Sequence, residues 1–489
     1  MNNKLKEIFN HSIIYGLGSI AQTAIAFILI PLYTRQFTVE EYGVYAMLVL
    51  TSSLSSAFFY FGGLSALNRS FFDYDKFEDI RKVVSISFFI SLCGATFQVI
   101  LAYFFKEKLS FLLFHSEAYS NHIFLIMLSS SLTILNGIFL GLYRLQKKAK
   151  IFVISNISIF VLSGISIILL LFVFGLGLLS PILGSLMTQA GFCTIFLILN
   201  RRYLTFKGLI GFNNEIIKQF KYGFLLVISG ILQYIFVGMD RFFVNRFLTL
   251  SDVGVYALGF QVASLMKVFI TTPFGMFWHP LRMEYRKEIN SKEIYSLVIT
   301  YFLIITSLFI LPVALFSKEL IMILSDKSAY LHSIKVIPVI MIGMALYGLT
   351  SILDNGLVFN RKVHFHALLM GITVVIVFTL NLMFIKRVGF VLPAYSYLIG
   401  SLVFVFGLSF FSNKYFTIHV DWGRILKIIC ASLIVLYTGY LLNKIEISFV
   451  SIIFRIVLFG LYLLFVYFVV VSQKEKVRLK ELFVKGNDI

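Results

Sequence analysis

Long apolar runs separated by short polar turns recur from one end of the chain to the other. A helix needs roughly 20 apolar residues, rising ~1.5 Å each, to cross the hydrocarbon layer of a bilayer. The runs are continuous and do not alternate with a period of two, so they predict helices and not the strands of a membrane barrel. The pattern predicts fourteen spans, over residues 11–34, 42–66, 83–105, 122–143, 151–174, 178–200, 220–245, 253–278, 294–317, 334–359, 367–385, 389–411, 425–443 and 449–471.

One short segment occurs twice. Residues 35–47 read R-Q-F-T-V-E-E-Y-G-V-Y-A-M, and residues 246–258 read R-F-L-T-L-S-D-V-G-V-Y-A-L. Aligned without a gap, six of thirteen positions are identical, and Glu41 meets Asp252. Each copy joins the end of one apolar run to the start of the next. A duplicated hairpin predicts two related halves, and in membrane transporters with internal repeats the substrate path usually lies between the halves.

These patterns predict an all-α integral membrane protein with about 14 transmembrane helices in two pseudo-symmetric lobes around a central cavity. Residues 1–219 form the predicted N-terminal lobe, with about six spans and a cytoplasmic linker. Residues 220–424 form the C-terminal lobe, also with about six spans. Residues 425–489 add two spans and a basic cytoplasmic tail.

The charge distribution predicts the orientation. Hydrophobic residues make up 59% of the chain and charged residues only 13%, with a formal net charge of +19. Most of the 42 lysine and arginine residues fall in the loops on the same side as the termini, so both termini are predicted to be cytoplasmic. Topology and anionic lipid explain the positive charge, and nucleic acid binding is not needed to account for it.

Several functions find no support in the sequence. The longest loop, around residues 201–219, is too short to fold as a catalytic domain, and no G-x-x-x-x-G-K-[ST] phosphate loop occurs. Cys93, Cys193 and Cys430 each lie in an apolar run without a CxxC or CxxH partner, so neither a disulfide nor a metal site is predicted. We expect no cofactor and no enzymatic activity, and assign the function to the helix bundle itself.

Lys267 is the clearest candidate for a functional residue. It lies near the middle of the predicted span 253–278, where an ammonium group is costly and requires a partner or a function. It either faces a polar cavity or forms a structural ion pair with Asp240 or Asp354. Asp240 and Arg241 are neighbours in the seventh span, and each of Asp240, Arg241 and Asp354 is either a coupling group or half of a structural pair.

Four arginines complete the candidate site. Arg35 and Arg246 occupy equivalent repeat positions, where a cation also complements a helix C-terminus. Arg69 ends the second span at its cytoplasmic end, where the positive-inside bias is the default explanation, and Arg455 lies in the outer half of the last span. Because cations outnumber acids at these depths, we expect an anionic cargo, and the 25 tyrosines suit the recognition of sugars.

Several motifs of the sequence resemble those of a known family. The motifs resemble those of polysaccharide-biosynthesis flippases, the O-antigen repeat-unit translocases of the multidrug/oligosaccharidyl-lipid/polysaccharide exporter superfamily. The similarity covers nearly the whole chain and is carried by L-I-P-L-Y-T-R-Q-F-T-V-E-E-Y-G-V-Y-A-M over 29–47 and by residues 62–69, 141–150, 238–258 and 381–394.

The resemblance implies two lobes around a V-shaped cationic cavity in a bacterial inner membrane. It implies transfer of an undecaprenyl-pyrophosphate-linked oligosaccharide, an O-antigen or capsule repeat unit, from the cytoplasmic to the periplasmic leaflet by alternating access. Membrane lipids, a polysaccharide polymerase and chain-length regulator proteins are the implied partners. Arg35, Arg69 and Asp240 stand where family members often carry the same residue types.

The chain also departs from the family pattern. Thr38-Val39 replaces a common Gly-Pro pair before Glu-Glu-Tyr-Gly, and Pro393 replaces a small residue. Two other functions remain open at this point. A cation-coupled exporter of organic cations would require acids in the cavity, and a membrane glycan polymerase would require a long external loop with catalytic residues.

Overall fold

The computed structural model describes residues 25, 27–205, 213–286, 288–362, 364–442, 449–473 and 475–476, with the backbone alone for 213–229. The described residues form helices and no strand. The α-helices are α1 (27–36), α2 (Val39–Phe59), α3 (Gly63–Ser70), α4 (Phe77–Phe114), α5 (Ser120–Leu145), α6 (Ala149–Phe172), α7 (Leu179–Leu199), α8 (Asn213–Phe247), α9 (Leu250–Ala263), α10 (Thr272–Tyr285), α11 (Ser291–Leu315), α12 (Ser317–Leu324), α13 (Ile337–Leu353), α14 (Asn355–Phe359), α15 (His364–Val388), α16 (Leu392–Asn413), α17 (Trp422–Leu442) and α18 (Phe449–Phe465).

The predicted all-helical membrane fold is confirmed. Among the described residues, twelve helices are long and apolar enough to cross a membrane, so the chain is a multi-pass membrane protein. The predicted first span, 11–34, lies partly outside the described residues, and so do both termini. The count of fourteen spans and the cytoplasmic position of the termini therefore stay predictions.

The second predicted span, 42–66, is not one helix. It divides into α2 and α3 at Phe61 and Gly62, whose φ angles are 47° and 74°. Beyond the break, Gly63 lies so close to α4 that a Cβ there would be 2.1 Å from Ser91 Oγ. A run of apolar residues does not reveal such a break, because hydropathy does not report backbone φ.

Two further predicted spans contain a change of helix geometry. The span 253–278 becomes α9, a π-helical turn over Lys267–Thr271, and α10, which continues to Tyr285. The span 334–359 becomes α13 and α14, joined at Asp354. The longer α10 brings Arg282, which the predicted boundary leaves in a loop, into the helix.

The described chain divides into two compact units. Unit 1 contains the described residues of Met1–Leu258, Leu324–Tyr330 and His366–Gly400, and unit 2 those of Gly259–Ile323, Leu331–Phe365 and Ser401–Ile489. In unit 1, α4, α5 and α7 share a core that includes Val83, Ile138, Phe139 and Phe196. In unit 2, one core surrounds Trp278, Tyr295 and Phe302, and a second surrounds Leu311, Leu315 and Tyr462. The predicted division into two lobes and a C-terminal pair of spans stays a prediction.

Candidate functional site

The first repeat copy lies at the turn between α1 and α2, where Thr38 caps α2. The Thr38 hydroxyl accepts a hydrogen bond from Glu41 N at 3.1 Å, and Thr38 N donates to Glu41 Oε2 at 2.8 Å. This reciprocal capping box satisfies two of the amide donors that a helix start leaves without partners. Thr38, one of the departures from the family pattern, therefore has a structural role of its own.

The second repeat copy, between α8 and α9, is capped in the same way. The Thr249 hydroxyl accepts from Asp252 N at 3.1 Å, and Thr249 N donates to Asp252 Oδ2 at 3.2 Å. The shorter aspartate also accepts a bond from the Thr249 hydroxyl, at 2.7 Å. The alignment of Glu41 with Asp252 is thus explained by helix capping, which needs a carboxylate three residues after the threonine.

Inside unit 1 the two copies cross each other at their shared glycines. A Cβ on Gly43 would lie 2.0 Å from Leu250 O, and a Cβ on Gly254 would lie 2.2 Å from Val39 O. The two backbones therefore touch reciprocally, and no larger residue fits at either position without separating the helices. We call this contact, formed by residues 39–43 and 250–254, the hairpin crossing.

A lysine that the sequence did not single out holds the end of α1. Lys327 Nζ donates to the carbonyl oxygens of Thr34 at 2.7 Å and Arg35 at 3.0 Å, and also to that of Phe37. The Thr34 hydroxyl donates in turn to Leu324 O. A cation bound to the last carbonyls of a helix satisfies their acceptors and opposes the helix dipole.

The end of α8 has a simpler tether. Asn245, the repeat equivalent of Thr34, donates from Nδ2 to Leu113 O at 2.6 Å. Leu113 lies in the last turn of α4, and Leu324 lies at the end of α12. Both copies are therefore tied at equivalent positions to the end of another helix, and within the described part of the chain a lysine caps the first copy alone.

The predicted arginines of unit 1 lie at its surface. Arg35 and Arg246 are exposed at the ends of α1 and α8, one residue beyond Thr34 and Asn245. Arg69 is exposed in the last turn of α3. Their predicted roles in binding substrate are not tested by these positions, although each guanidinium is accessible.

Asp240 and Arg241 lie inside unit 1 as a close pair. Asp240 is 4% exposed and accepts a hydrogen bond from Arg241 N at 2.7 Å, while Arg241 Nε lies 4.0 Å from its carboxylate. Tyr256, the tyrosine of the second repeat copy, is fully buried beside them. A buried carboxylate flanked by one cation and one phenol can hold or release a proton or a small cation, so the structure keeps both predicted roles of Asp240 open.

In unit 2, Asp354 is paired with a residue outside the predicted set. Arg282 Nη1 donates to Asp354 Oδ1 at 2.7 Å and to Ser351 O at 3.1 Å, and Trp278 Nε1 also donates to Ser351 O. The pair ties α10 to the end of α13, where the helix breaks. Asp354 thus has a structural partner, and Lys267 is not that partner.

Arg455 is fully buried and also has a partner that the sequence did not reveal. Its guanidinium forms an ion pair with Glu319 on α12 and donates to Leu315 O at 3.1 Å and to Leu442 O at 3.3 Å. These bonds join α18 to the ends of α11 and α17 and to the start of α12. In this structure the Arg455 guanidinium is enclosed by protein, which is the arrangement of a structural cation rather than of an open binding group.

Lys267 differs from these paired residues. It is exposed, and its side chain forms no ion pair within the part of the chain that the structure describes. It opens the π-helical turn between α9 and α10, a rare geometry that is frequent at functional sites. Within unit 2 the predicted pair of Lys267 with Asp354 is not found, and Asp354 instead contacts Arg282. The predicted pair of Lys267 with Asp240 stays a prediction.

Comparisons with known proteins agree with this architecture. The sequence profile of a family described as "Polysaccharide biosynthesis protein" matches residues 8–285. The chain belongs to the polysaccharide biosynthesis protein family. A curated relative, an uncharacterized membrane protein of Haemophilus influenzae, is 23% identical over 273 residues, or 54% of this chain. The match spans only 62% of that relative's own length.

Two solved structures have folds similar to that of this chain. The structure of the lipid II flippase MurJ in an inward closed conformation is similar with a TM-score of 0.74 at 16% identity, covering 92% of this chain and 98% of that one. An inward-facing multidrug resistance MATE transporter of the MOP superfamily gives a TM-score of 0.66 at 14% identity, with coverages of 80% and 94%. This member of the polysaccharide biosynthesis protein family therefore has the fold that flippases and multidrug transporters share.

Proposed function

We propose that this protein is a flippase for an undecaprenyl-pyrophosphate-linked oligosaccharide, an O-antigen or capsule repeat unit. It transfers the lipid from the cytoplasmic to the periplasmic leaflet of a bacterial inner membrane by alternating access. Family membership and a fold shared with a lipid II flippase support this class of cargo.

The observation that carries the proposal is the exposed ammonium of Lys267, midway along an apolar helical span and at a π-helical turn. A cation at this depth is costly unless an anion or water accompanies it. A pyrophosphate headgroup supplies that anion, and a neutral lipid does not. Lys267 is therefore the proposed headgroup contact of unit 2. Arg35, Arg69 and Arg246, exposed cations of unit 1, are each proposed as further substrate-binding groups.

An open apolar groove in unit 2 suits the polyprenyl tail. It lies between α17 and α18, has a volume of about 500 Å³, and is lined by side chains such as Ile434, Leu458 and Phe465. Lys427 is the charged residue of its lining, so a chain in this groove has a cation nearby for its phosphate end. Methyl-branched isoprene units match these apolar walls, and a hydrated sugar does not.

Movement is proposed to occur at the hairpin crossing. The reciprocal contact of Gly43 with Leu250 and of Gly254 with Val39 closes one end of the repeat hairpins. Glycine contacts of this kind separate without rearranging side chains, so the crossing can open and close as a unit. Asp240, buried on α8 in the same unit and paired with Arg241, is the proposed coupling acid.

The test is leaflet transfer by the purified protein. Vesicles containing the protein receive a fluorescent undecaprenyl-pyrophosphate-linked oligosaccharide, and a membrane-impermeant reagent reports the sugar on the outer surface. We expect transfer well above that of protein-free vesicles and of vesicles carrying an unrelated multi-pass protein. Equal transfer in all three would contradict the proposal.

A cation-coupled multidrug exporter is the second candidate, because the same fold occurs in a MATE transporter and because Asp240 is buried. That function predicts efflux of ethidium from cells, lost in Asp240→Asn. The flippase proposal predicts no ethidium efflux above that of cells lacking the protein.

A further inference from the structure

Unit 1 contains a pocket that the proposed headgroup contacts do not use. It lies among α2, α5, α7 and α8 and has a volume of about 330 Å³. Seven of its thirteen lining residues are serine or threonine, two are tyrosine, and none is charged. A hydroxyl-rich, uncharged pocket is unusual within an apolar helical bundle, where small residues ordinarily serve to bring helices together. Here they border open space.

The helix backbone satisfies only part of these hydroxyl groups. Thr133 donates to Ser129 O at 3.1 Å and Ser53 donates to Val49 O at 2.8 Å, so each hydroxyl uses its proton internally. Each oxygen keeps lone pairs that can accept a hydrogen bond from a ligand. Ser129 and Ser185 bond to each other at 3.1 Å and bridge α5 to α7 across one wall.

A buried amide supports that wall from behind. Gln98 is fully buried, and its Nε2 donates to Ser130 Oγ at 2.6 Å and to Met127 O at 3.2 Å. Its Oε1 has no hydrogen-bond partner among the described residues. Gln98 does not itself line the pocket, but its amide holds in place the hydroxyl of Ser130, which does.

The chemistry of the pocket selects among the parts of the proposed cargo. A pyrophosphate would lose its hydration without gaining a counter-charge, and an isoprene chain would bury hydroxyls without hydrogen bonds. A sugar ring offers hydroxyls that donate and accept, and Tyr45 and Tyr234 provide ring faces and phenol groups at the border. The volume is at the small end of the range for ligand pockets, which suits a single ring.

We propose that this pocket binds one neutral sugar residue of the transported oligosaccharide, apart from the pyrophosphate. The assignment of the ligand to the transported oligosaccharide rests on the proposed flippase function. The hydroxyl-rich lining is an observation on unit 1 and does not depend on that function. The pocket thereby selects neutral over acidic sugars at that position of the repeat unit.

The test measures binding of free glycosides to the protein in lipid nanodiscs by saturation-transfer NMR. The probes are the methyl glycosides of glucose, galactose and mannose, with methyl glucuronide as the acidic counterpart. We expect at least one neutral glycoside to bind and the glucuronide to bind at least about tenfold more weakly. Binding of none of the neutral glycosides, or equal binding of the glucuronide, would overturn the proposal.

Two variants and one matched control locate the binding to the pocket. Ser56→Leu fills the cavity and should weaken glycoside binding at least about tenfold, and Thr133→Val removes one hydroxyl at constant shape and should weaken it about threefold to tenfold. Thr194→Val is the control, since Thr194 bonds to Ala190 O at 3.0 Å as Thr133 bonds to Ser129 O, but does not line the pocket. Thr194→Val should bind as the unmodified protein does, and equal losses in all three would contradict the assignment.

The same variants separate this inference from the function on which it rests. If lipid-linked oligosaccharide is transferred but Ser56→Leu and Thr133→Val change neither transfer nor glycoside binding, the pocket assignment fails and the flippase function stands. If glycosides bind in the pocket but no lipid-linked oligosaccharide is transferred, the sugar site stands and the flippase function fails.

Discussion

The two repeat hairpins share their caps and their crossing but differ in what surrounds them. Both carry a threonine and an acid three residues apart that close a capping box, and both place a glycine against the backbone of the other copy. Only the first ends in carbonyls bound by Lys327. Only the second contains a buried acid, Asp240, because the equivalent position of the first copy is Leu29.

This difference suggests a division of roles between the copies. Two of the residues that both copies keep, the threonine and the glycine, are required by the backbone geometry at the cap and at the close approach. The charged contacts of the two copies differ, with Lys327 at the end of the first copy and Asp240 near the second. We infer that the hairpin crossing is a structural contact common to both copies. We also infer that Lys327 and Asp240, each of which belongs to one copy, determine whether the crossing is open or closed.

The largest effect should come from the shared glycines. Gly254→Ala and Gly43→Ala place a Cβ about 2 Å from a backbone oxygen, which the helices relieve only by moving apart. Overpacking of this kind costs about 1–3 kcal/mol, or about 5- to 150-fold in the population of the closed crossing. Hydrogen exchange of the amides over 39–43 and 250–254 should accelerate by that factor in both variants.

Two other glycines provide the control. A Cβ on Gly137 or Gly230 would meet nothing within 4 Å, so Gly137→Ala and Gly230→Ala should leave exchange at the crossing unchanged. An effect confined to one of the two crossing variants would show that the contact is not reciprocal in solution.

The second-largest effect should come from replacing Lys327, which caps the end of α1 in the first copy. Lys327→Met removes a charged donor from three carbonyls at the end of α1, and hydrogen bonds to charged groups contribute about 1.5–3 kcal/mol. Exchange over residues 34–38 should accelerate by at least about tenfold, while residues 245–249 of the second copy stay unchanged. Lys292→Met, at an exposed lysine of α11, is the control and should alter neither segment. Equal acceleration in both copies would refute the asymmetric cap.

A third variant concerns the tether of the second copy. Asn245→Ala removes a neutral hydrogen bond of 2.6 Å to Leu113 O, for which about 0.5–1.5 kcal/mol is typical. Exchange over 245–249 should accelerate by about threefold to tenfold, less than Lys327→Met produces in the first copy. A larger effect than that of Lys327→Met would reverse the proposed ranking of the two ties.

The smallest effect should come from the two capping threonines, and it should be of equal size in both copies. Thr38→Ala and Thr249→Ala each remove one half of a capping box, at about 0.5–2 kcal/mol. Their thermal unfolding temperatures in the same detergent should fall together, by about 0.5–2 °C for a chain of this length and to within about 0.5 °C of each other. Thr→Ser at each site retains the hydroxyl and should restore most of the loss. A large difference between the two threonine variants would mean that only one box stabilises its helix.

Much of this arrangement could be predicted from the sequence, and the reasons are local. Hydropathy locates the long apolar helical runs but not the breaks within them. The repeat identifies Thr38, Gly43, Thr249 and Gly254 because capping and close backbone contact demand particular residue types. The alignment of Glu41 with Asp252 is likewise a requirement of the capping box.

What the sequence did not reveal depends on contacts between residues far apart in the chain. Arg282, Glu319 and Lys327 follow no periodic pattern, and their importance appears only when the fold brings them to Asp354, Arg455 and the end of α1. The buried position of Arg455 could not be inferred because its partner lies 136 residues away. The break at Gly62 is not evident from the sequence, because a glycine within an apolar run is also compatible with a continuous helix.

The most direct test of the central claim compares charge variants of Lys267 in the leaflet-transfer assay. Lys267→Ala and Lys267→Gln remove the ammonium, Lys267→Arg retains a cation, and Lys292→Ala serves as an exposed lysine outside the proposed path. The account predicts that transfer of the pyrophosphate-linked oligosaccharide falls at least about tenfold in the two neutral variants, that Lys267→Arg retains most of it, and that Lys292→Ala is unchanged. Transfer at the unmodified rate by a correctly folded Lys267→Ala protein would contradict it.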